Sequence, residues 1–164
     1  AAEHGFITDK IMDQMNAPIT REEFCEVVIK LYEKTMGKAA SYSNMDAFTD
    51  TINPEIFKAY ELGIVNGVGG NRFAPDELVN REQVATMMHR AVKVIHADAD
   101  FSIAGADKFA DEDLISSWAL ESVKFMNKNG LVKGVGNNTF APKGTTTREQ
   151  AVIIVLRTYE KYAK

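Results

Sequence analysis

Apolar residues recur at helical spacing in three stretches of the chain. They are Phe24, Val27, Val28, Leu31 and Tyr32 in the first stretch; Val84, Met87, Met88, Ala91, Val92 and Ile95 in the second; and Val152, Val155, Leu156 and Tyr159 in the third, where Ile153 and Ile154 widen the stripe. Apolar side chains spaced by three or four residues share one face of an α-helix. The pattern predicts helices over residues 21–36, 81–96 and 148–162.

Each of these three helices begins with the same kind of polar motif. The motifs are Thr20-Arg-Glu-Glu23, Asn80-Arg-Glu-Gln83 and Thr147-Arg-Glu-Gln150. A Thr or Asn followed three residues later by Glu or Gln has the spacing of a capping box, which satisfies backbone N–H groups of the first helical turn. The motif therefore predicts where each helix starts.

A second helix is predicted before a glycine in each unit. It covers residues 54–62 in the middle of the chain and 114–128 farther on, whereas only its last residues, around 1–4, remain at the start. Gly5, Gly63 and Gly130 then stand where a left-handed residue ends a helix. Each unit is predicted to be a helix, a glycine loop and a helix, which makes the fold class all-α.

The units are copies of one repeat. Residues 62–90 and 129–157 both contain G-[IL]-V-x-G-V-G-x-N-x-F-A-P, followed after five residues by R-E-Q, at a period of 67 residues. A weaker first copy lacks the glycine-rich loop and whatever preceded residue 1, so we expect a trimmed fragment. Repeats are predicted at 1–43, 44–105 and 106–164.

Composition and charge exclude several classes of function. The net charge of −4 over 164 residues argues against a nucleic-acid binder. No apolar run approaches the about 18 residues of a membrane span, which argues against membrane insertion. Cys25 lies within the apolar run FCEVVIKLY and is expected to be buried.

No motif for catalysis or metal binding is present in the sequence. His89 and His96 are seven residues apart with no carboxylate at ligand spacing, and we expect them to be at the surface or partly buried. The glycine run at 67–70 follows a helix rather than a strand and lacks the Lys-Ser/Thr of a phosphate loop. The sequence predicts a protein that is not an enzyme and uses neither a metal nor another cofactor.

The repeats resemble those of the S-layer homology (SLH) family. An SLH repeat has an F-x-D opening, a helix often carrying W-A, then G-[IL]-[IV]-x-G, a loop ending F-x-P, and a [ST]-R-[AE]-[EQ] helix start. The last copy matches at Phe109-Ala-Asp111, Trp118-Ala119, Gly130-Leu-Val-Lys-Gly134, Phe140-Ala-Pro142 and Thr147-Arg-Glu-Gln150. The middle copy matches from Phe48-Thr-Asp50 onward but has no Trp, and the first copy lacks the F-x-D half.

The resemblance implies a fold, a function and a location. SLH repeats come in threes and form a pseudo-threefold spindle in which the helices after the T-R-x-x motifs make a central three-helix bundle. They anchor S-layer and associated surface proteins to secondary polysaccharides of the bacterial cell wall without covalent bonds. Pyruvylated amino sugars are the ligand, and the motif arginines lie in grooves between repeats. The resemblance therefore implies an extracellular protein held in the cell wall or S-layer.

The three motif arginines occupy an unusual electrostatic position. Arg21, Arg81 and Arg148 each come first in a helix, where a cation is unfavourable because the helix N-terminus carries partial positive charge. One reading is that free N–H groups and the guanidinium together bind an acidic ligand. The other is an internal salt bridge, for which the nearby carboxylates are Asp50, Asp111, Glu22, Glu82 and Glu149.

Other candidate residues accompany the arginines. Trp118 is either a core residue or a surface for stacking on a sugar, and Asn66 and Lys133 hold the same loop position between two glycines. The complete set of candidate glycan contacts is Arg21, Arg81, Arg148, Asp50, Asp111, Trp118, Asn66 and Lys133. An alternative function is a protein–protein or self-assembly module, in which the incomplete first repeat packs against another chain. A weaker alternative is a small regulatory helical domain.

Overall fold

The computed structural model describes residues 6–8, 11–43 and 46–162. These residues contain five α-helices: α1 (Arg21–Met36), α2 (Pro54–Glu61), α3 (Arg81–Ile95), α4 (Leu120–Lys128) and α5 (Arg148–Tyr162). The only β pairing among them consists of isolated bridges, so the predicted all-α class is confirmed. None of the five helices is long and apolar enough to cross a membrane. The helix end predicted around residues 1–4, and Gly5, lie outside the described residues.

The three long helices begin where their capping motifs predict. In α1 the Thr20 hydroxyl accepts from the Glu23 N–H while the Glu23 carboxylate accepts from the Thr20 N–H. The same reciprocal pair of hydrogen bonds starts α3 and α5. The boundaries agree with the predicted ones to within one residue because the motif satisfies the donors of the first turn.

The predicted helix over residues 114–128 is too long at its start. A short 3-10 turn occupies Glu112–Leu114, and α4 begins only at Leu120. Between them, the Ser116 N–H and hydroxyl both donate to the carboxylate of Glu82, at 2.9 and 2.7 Å. Serine side chains that bond in this way compete with helix formation. Trp118 consequently lies in a turn rather than on a helix face.

The core is formed where the long helices meet. α1, α3 and α5 each contact the other two, while α2 packs on α1 and α4 packs on α3. Phe24, Val28, Met88, Val92 and Val155 are among the residues fully buried there. Cys25 is also buried, as predicted.

His89 is more buried than the sequence indicated. Its imidazole, expected at or near the surface, is only 3% exposed. The ring stacks on Phe125 with 4.6 Å between centroids, and Nδ1 lies 2.9 Å from the Ser122 hydroxyl. Burial, with a smaller contribution from Lys93, lowers the pKa of His89 to about 4. Sequence spacing missed this because α4, which supplies both partners, is distant in the chain.

The segments that precede α1, α3 and α5 are joined by a closed cycle of backbone hydrogen bonds. The Ile19 N–H donates to the Thr146 carbonyl at 2.8 Å, Thr146 donates to Val79 at 3.4 Å, and Val79 donates to Ile19 at 3.1 Å. This cycle brings the N-terminal ends of the three long helices, and therefore the three motif arginines, to the same end of the molecule.

Candidate functional site

The aspartates of the two F-x-D motifs shape the glycine loops. Asp50 accepts from the backbone N–H groups of Phe73 and Ala74 at 2.9 and 2.8 Å, and Asp111 bonds the equivalent Phe140 and Ala141. Burial raises the pKa of each carboxyl, but these backbone hydrogen bonds outweigh it and the net pKa is lowered. Both candidate aspartates therefore have a structural role in the loop.

The loops pass so close to themselves that one glycine in each cannot carry a side chain. A Cβ on Gly67 would lie 2.7 Å from the Arg72 carbonyl oxygen, and one on Gly134 would lie 2.5 Å from that of Thr139. This tight approach turns the backbone carbonyls of the preceding residues, Asn66 and Lys133, toward the motif arginines.

The first backbone N–H groups of the three long helices are already bonded within the protein. Arg21 and Glu22 donate to the carbonyls of Glu77 and Pro75, at 2.8 and 3.0 Å. The loop at 142–144 accepts from the start of α3 in the same way, and the segment at 15–17 accepts from the start of α5. The expectation that free N–H groups help to bind an acidic ligand is therefore wrong: each helix start is capped by a neighbouring repeat.

Arg21 and Arg81 bond backbone carbonyls instead of carboxylates. Nε of Arg21 donates to the Phe73 carbonyl and Nη2 to that of Asn66, at 2.9 and 3.1 Å. Arg81 makes the equivalent bonds to Phe140 and Lys133, at 2.7 and 2.6 Å. Within the described residues neither guanidinium forms an ion pair, and Nη1 of each makes no hydrogen bond. The proposed internal salt bridges are wrong for these two arginines, whose charge remains available.

Each of these guanidinium groups also lies over a ring of the neighbouring repeat. The Arg21 carbon Cζ is 4.5 Å from the Phe73 ring centroid, and that of Arg81 is 4.8 Å from the centroid of Phe140. Burial lowers the pKa of both arginines. The ring and the two carbonyls hold the planar guanidinium in one orientation.

Arg148 has a different partner. Its Nε and Nη2 donate to the two carboxylate oxygens of Glu23, at 3.2 and 2.6 Å, and its Nη1 donates to the Gln14 carbonyl at 3.4 Å. An internal ion pair was one of the two predicted readings, but Glu23 was not among the partners considered. Because Glu23 was identified only as a capping residue, its second contact, with a residue 125 positions away in the sequence, was not predicted.

Two equivalent clefts open beside Arg21 and Arg81. Cleft A has a volume of about 230 Å³ and is lined by Arg21, residues 65–68, Gln83, Thr86, Met87, Arg90 and Trp118. Cleft B has a volume of about 280 Å³ and is lined by Arg81, residues 132–135, Gln150, Ile153, Ile154 and Arg157. Each cleft combines a motif arginine with the glycine loop and the long helix that follow it in the chain, and Trp118, which lies beyond α3, also lines cleft A.

The clefts contain residues that sequence reasoning missed. Arg90 and Arg157 add a second guanidinium to clefts A and B, and Gln83 and Gln150 add an amide. The signal was present in the repeat alignment, because Lys30, Arg90 and Arg157 all stand nine residues after a motif arginine. A basic residue at a fixed place in each copy is the pattern that could have identified them.

The remaining candidates divide between the two clefts. Trp118 is 57% exposed and lines cleft A, so its reading as a core residue is wrong. Asn66 lines cleft A and Lys133 lines cleft B, each with its carbonyl bonded to the local arginine. In the described part of the chain, no group of three or more His, Cys, Asp or Glu residues is placed to hold a metal ion.

Known proteins with related sequences include enzymes and an S-layer protein. An amylopullulanase of Thermoanaerobacterium thermosulfurigenes is 33% identical over 150 residues, which is 89% of this chain but 8% of the relative. The exoglucanase XynX of Acetivibrio thermocellus is 33% identical over 87% of this chain and 13% of its own length. The S-layer protein sap of Bacillus anthracis is 25% identical over 94% of this chain and 18% of the relative. The chain thus spans less than a fifth of these relatives.

The match to a family model falls on the two repeats that carry the complete motifs. The S-layer homology domain matches residues 48–85 and 108–152, within the second and third predicted repeats, and together these cover half of the chain. The matched segments contain both F-x-D motifs, both glycine loops and the arginines of the second and third helix starts. The chain belongs to the S-layer homology domain family.

Proposed function

We propose that this chain is a non-covalent anchoring module that binds an anionic, pyruvylated secondary polysaccharide of the bacterial cell wall in clefts A and B. One observation carries the proposal: two equivalent clefts each present a fixed guanidinium that forms no ion pair with a carboxylate in the described part of the chain. The protein as a whole carries a net charge of −4, so this basic character is local to the clefts. Local positive charge in an acidic protein suits a small anionic group better than a long polyanion.

The chemistry of the clefts fits a sugar that carries a carboxylate. The unbonded Nη1 of Arg21 or Arg81, together with Arg90 or Arg157, offers N–H donors to the carboxylate of a pyruvate ketal. In cleft A the exposed ring of Trp118 offers a flat apolar surface to the sugar. In cleft B Lys133 adds a third cation instead. Binding of this kind needs no catalytic group, and the module holds its ligand without transforming it.

The proposal also includes an architecture and a location. The three repeats, at 1–43, 44–105 and 106–164, would be related by a pseudo-threefold axis, with α1, α3 and α5 as the central bundle. Their mutual contacts and the closed cycle of backbone bonds support this arrangement. The names of the relatives, which include S-layer and cell-surface proteins, support a position outside the cell, in the wall or S-layer.

A cell-wall sedimentation assay tests the proposal. Arg90 and Arg157 are the best positions to change, because Arg21 and Arg81 each hold a loop through two carbonyl bonds and a ring contact, whereas Arg90 makes a single 3.5 Å bond to the Ile64 carbonyl. We expect the double variant R90A/R157A to lose at least about tenfold in affinity for purified wall fragments, which corresponds to 1.4 kcal/mol. Its binding deficit should shrink in 1 M NaCl, where the wild-type protein also binds weakly.

The matched control is Lys30→Ala. Lys30 holds the equivalent position on α1, is exposed, and lines neither cleft. This variant should bind wall fragments as the wild type does, and walls stripped of secondary polysaccharide should retain none of the three proteins. Equal retention of R90A/R157A and wild type would overturn the proposal. Sedimentation of the pure protein separates the alternative, since a self-assembly module would form oligomers without any wall.

A further inference from the structure

The three motif arginines share one backbone position but differ in their side-chain partners. The N–H of each donates to a loop carbonyl of the neighbouring repeat, at 2.8 Å for Arg21 and 2.9 Å for both Arg81 and Arg148. Their side chains therefore start from equivalent places. The side chains of Arg21 and Arg81 bond backbone carbonyls and form no ion pair within the described residues. The side chain of Arg148 instead forms an ion pair with the carboxylate of Glu23.

The partner of Arg148 occupies a position that follows the order of the repeats. Cleft A combines Arg21 with Gln83 of the next long helix, and cleft B combines Arg81 with Gln150 of the one after. For Arg148, on α5, the next long helix in this cyclic order is α1, and the residue equivalent to Gln83 and Gln150 is Glu23. Gln83, Gln150 and Glu23 are the third residues of their helices and form the same hydrogen bond to the capping residue, at 2.9, 3.0 and 3.1 Å.

The capping role requires only an oxygen acceptor, which glutamine and glutamate both supply. The charge of Glu23 is therefore not needed to start α1, and its distinct effect is the ion pair with Arg148. The side chains of Arg148 and Glu23 are 15% and 10% exposed, and the residue Arg21 is 9% exposed, so the ion pair rather than burial distinguishes Arg148. The ion pair and the bond to Gln14 engage all three nitrogens of Arg148, and a carboxylate already matches its positive charge, which leaves little attraction for an external anion.

We propose that Glu23 neutralises Arg148, so that the chain binds anionic groups at only two of its three motif arginines. This inference rests on the proposed function for its ligand, a sugar carboxylate. It assigns the identity of one residue, glutamine or glutamate at the third position of a long helix, as the determinant of whether a repeat junction binds. The Glu23 carboxylate bonds Nε and Nη2 of Arg148, the nitrogens that bond loop carbonyls in Arg21 and Arg81. The Gln14 carbonyl takes Nη1, the nitrogen that is left for the ligand in clefts A and B.

Two opposite exchanges test this assignment. Gln83→Glu places a carboxylate in cleft A, and Glu23→Gln removes the one at Arg148, while both preserve the capping hydrogen bond. Calorimetric titration with a methyl glycoside bearing a 4,6-linked pyruvate ketal should give two equivalents for the wild type. The Q83E variant should lose at least about tenfold in affinity at one of them. Circular dichroism and thermal melting confirm that each variant keeps the helical fold.

A second readout does not depend on the glycoside. The arginine Nε–H signals in ¹H–¹⁵N spectra report on each guanidinium while sodium sulfate is added. We expect the Arg148 signal to stay unchanged in the wild type and to shift in E23Q. Equal shifts in both proteins, or no shift in either, would overturn the role of Glu23, as would full affinity at two sites in Q83E.

Failure of the proposed function has a different signature. In that case the glycoside binds neither the wild type nor the variants, and the Nε–H signals of Arg21 and Arg81 do not shift when it is added. The comparison of Arg148 between wild type and E23Q under sulfate still decides whether Glu23 blocks that guanidinium.

Discussion

At the scale of single residues, the buried imidazole of His89 links the stability of the protein to pH. The ring contacts those of Phe125 and Phe101, which also contact each other, and Nδ1 lies against the Ser122 hydroxyl. Nε2 is buried and has no hydrogen-bond partner among the residues that the structure describes. Because burial disfavours the charged form, the folded protein holds the pKa at about 4 from an ordinary value of 6.5.

This shift predicts a loss of stability on acidification. Below pH 6.5 the unfolded chain takes up a proton at His89 that the folded protein does not accept until about pH 4. The free energy of unfolding should therefore fall by up to about 1.4 kcal/mol per pH unit across that window, and this contribution should be absent above it. Urea unfolding from pH 4 to 8 measures it, with His89→Phe as the comparison because phenylalanine keeps the ring but does not titrate. An identical pH dependence in both proteins would contradict the assignment.

The residue scale also shows why the site was only partly predictable. The unfavourable position of the arginines at helix starts correctly drew attention to Arg21 and Arg81. It did not distinguish them from Arg148, because the distinction lies in a glutamate whose visible role was capping. The sequence could not decide whether Trp118 is buried or exposed. Its surroundings depend on a turn, and the hydrophobic pattern predicted a helix there.

At the scale of elements, agreement between sequence and structure depends on where the controlling contacts come from. α1, α3 and α5 were predicted closely because their start signals are local, with both members of each capping box three residues apart. The start of α4 was misplaced because Ser116 bonds to Glu82 of another repeat. Local sequence signals predict that a helix forms, whereas contacts between residues distant in sequence can shift where it begins. Such contacts cannot be inferred before the fold is known.

The glycine loops give a prediction that belongs to this scale. A methyl group at Gly134 would meet the Thr139 carbonyl at 2.5 Å, with backbone on both sides of the contact. We expect Gly134→Ala to lower the free energy of unfolding by about 1–3 kcal/mol, as is usual for overpacking, and to weaken binding in cleft B. Urea titration measures the first effect and wall sedimentation the second.

Gly144→Ala is the matched control for the loop variant. It lies in the same repeat, has no positive φ, and a Cβ there would find its nearest neighbour at 3.4 Å. Its midpoint in urea should change by much less than that of Gly134→Ala. Equal destabilisation of the two variants would show that close backbone approach is not what requires glycine at position 134.

At the scale of the whole molecule, the starts of the three long helices are capped in a closed order. Residues 75–77 cap the start of α1, residues 142–144 cap α3, and residues 15–17, which precede α1, cap α5. The ion pair between Arg148 and Glu23 strengthens the last of these junctions. In a linear repeat array each unit contacts only its neighbours and can open from one end. Here the start of α5 is bonded to the segment before α1, so the three long helices are linked in a closed order.

This closure predicts that the protein unfolds as one cooperative unit. Opening any junction removes the cap of a long helix and exposes the face that α1, α3 and α5 share, so partly unfolded states should be poorly populated. Calorimetry should give a van't Hoff enthalpy equal to the calorimetric enthalpy, and helical CD should lose its signal in a single transition. Glu23→Gln should lower the melting temperature without changing that cooperativity, since it weakens one junction but keeps its backbone bonds. A second transition, or an enthalpy ratio well below one, would instead mean that the repeats unfold independently and that closure contributes little to the fold.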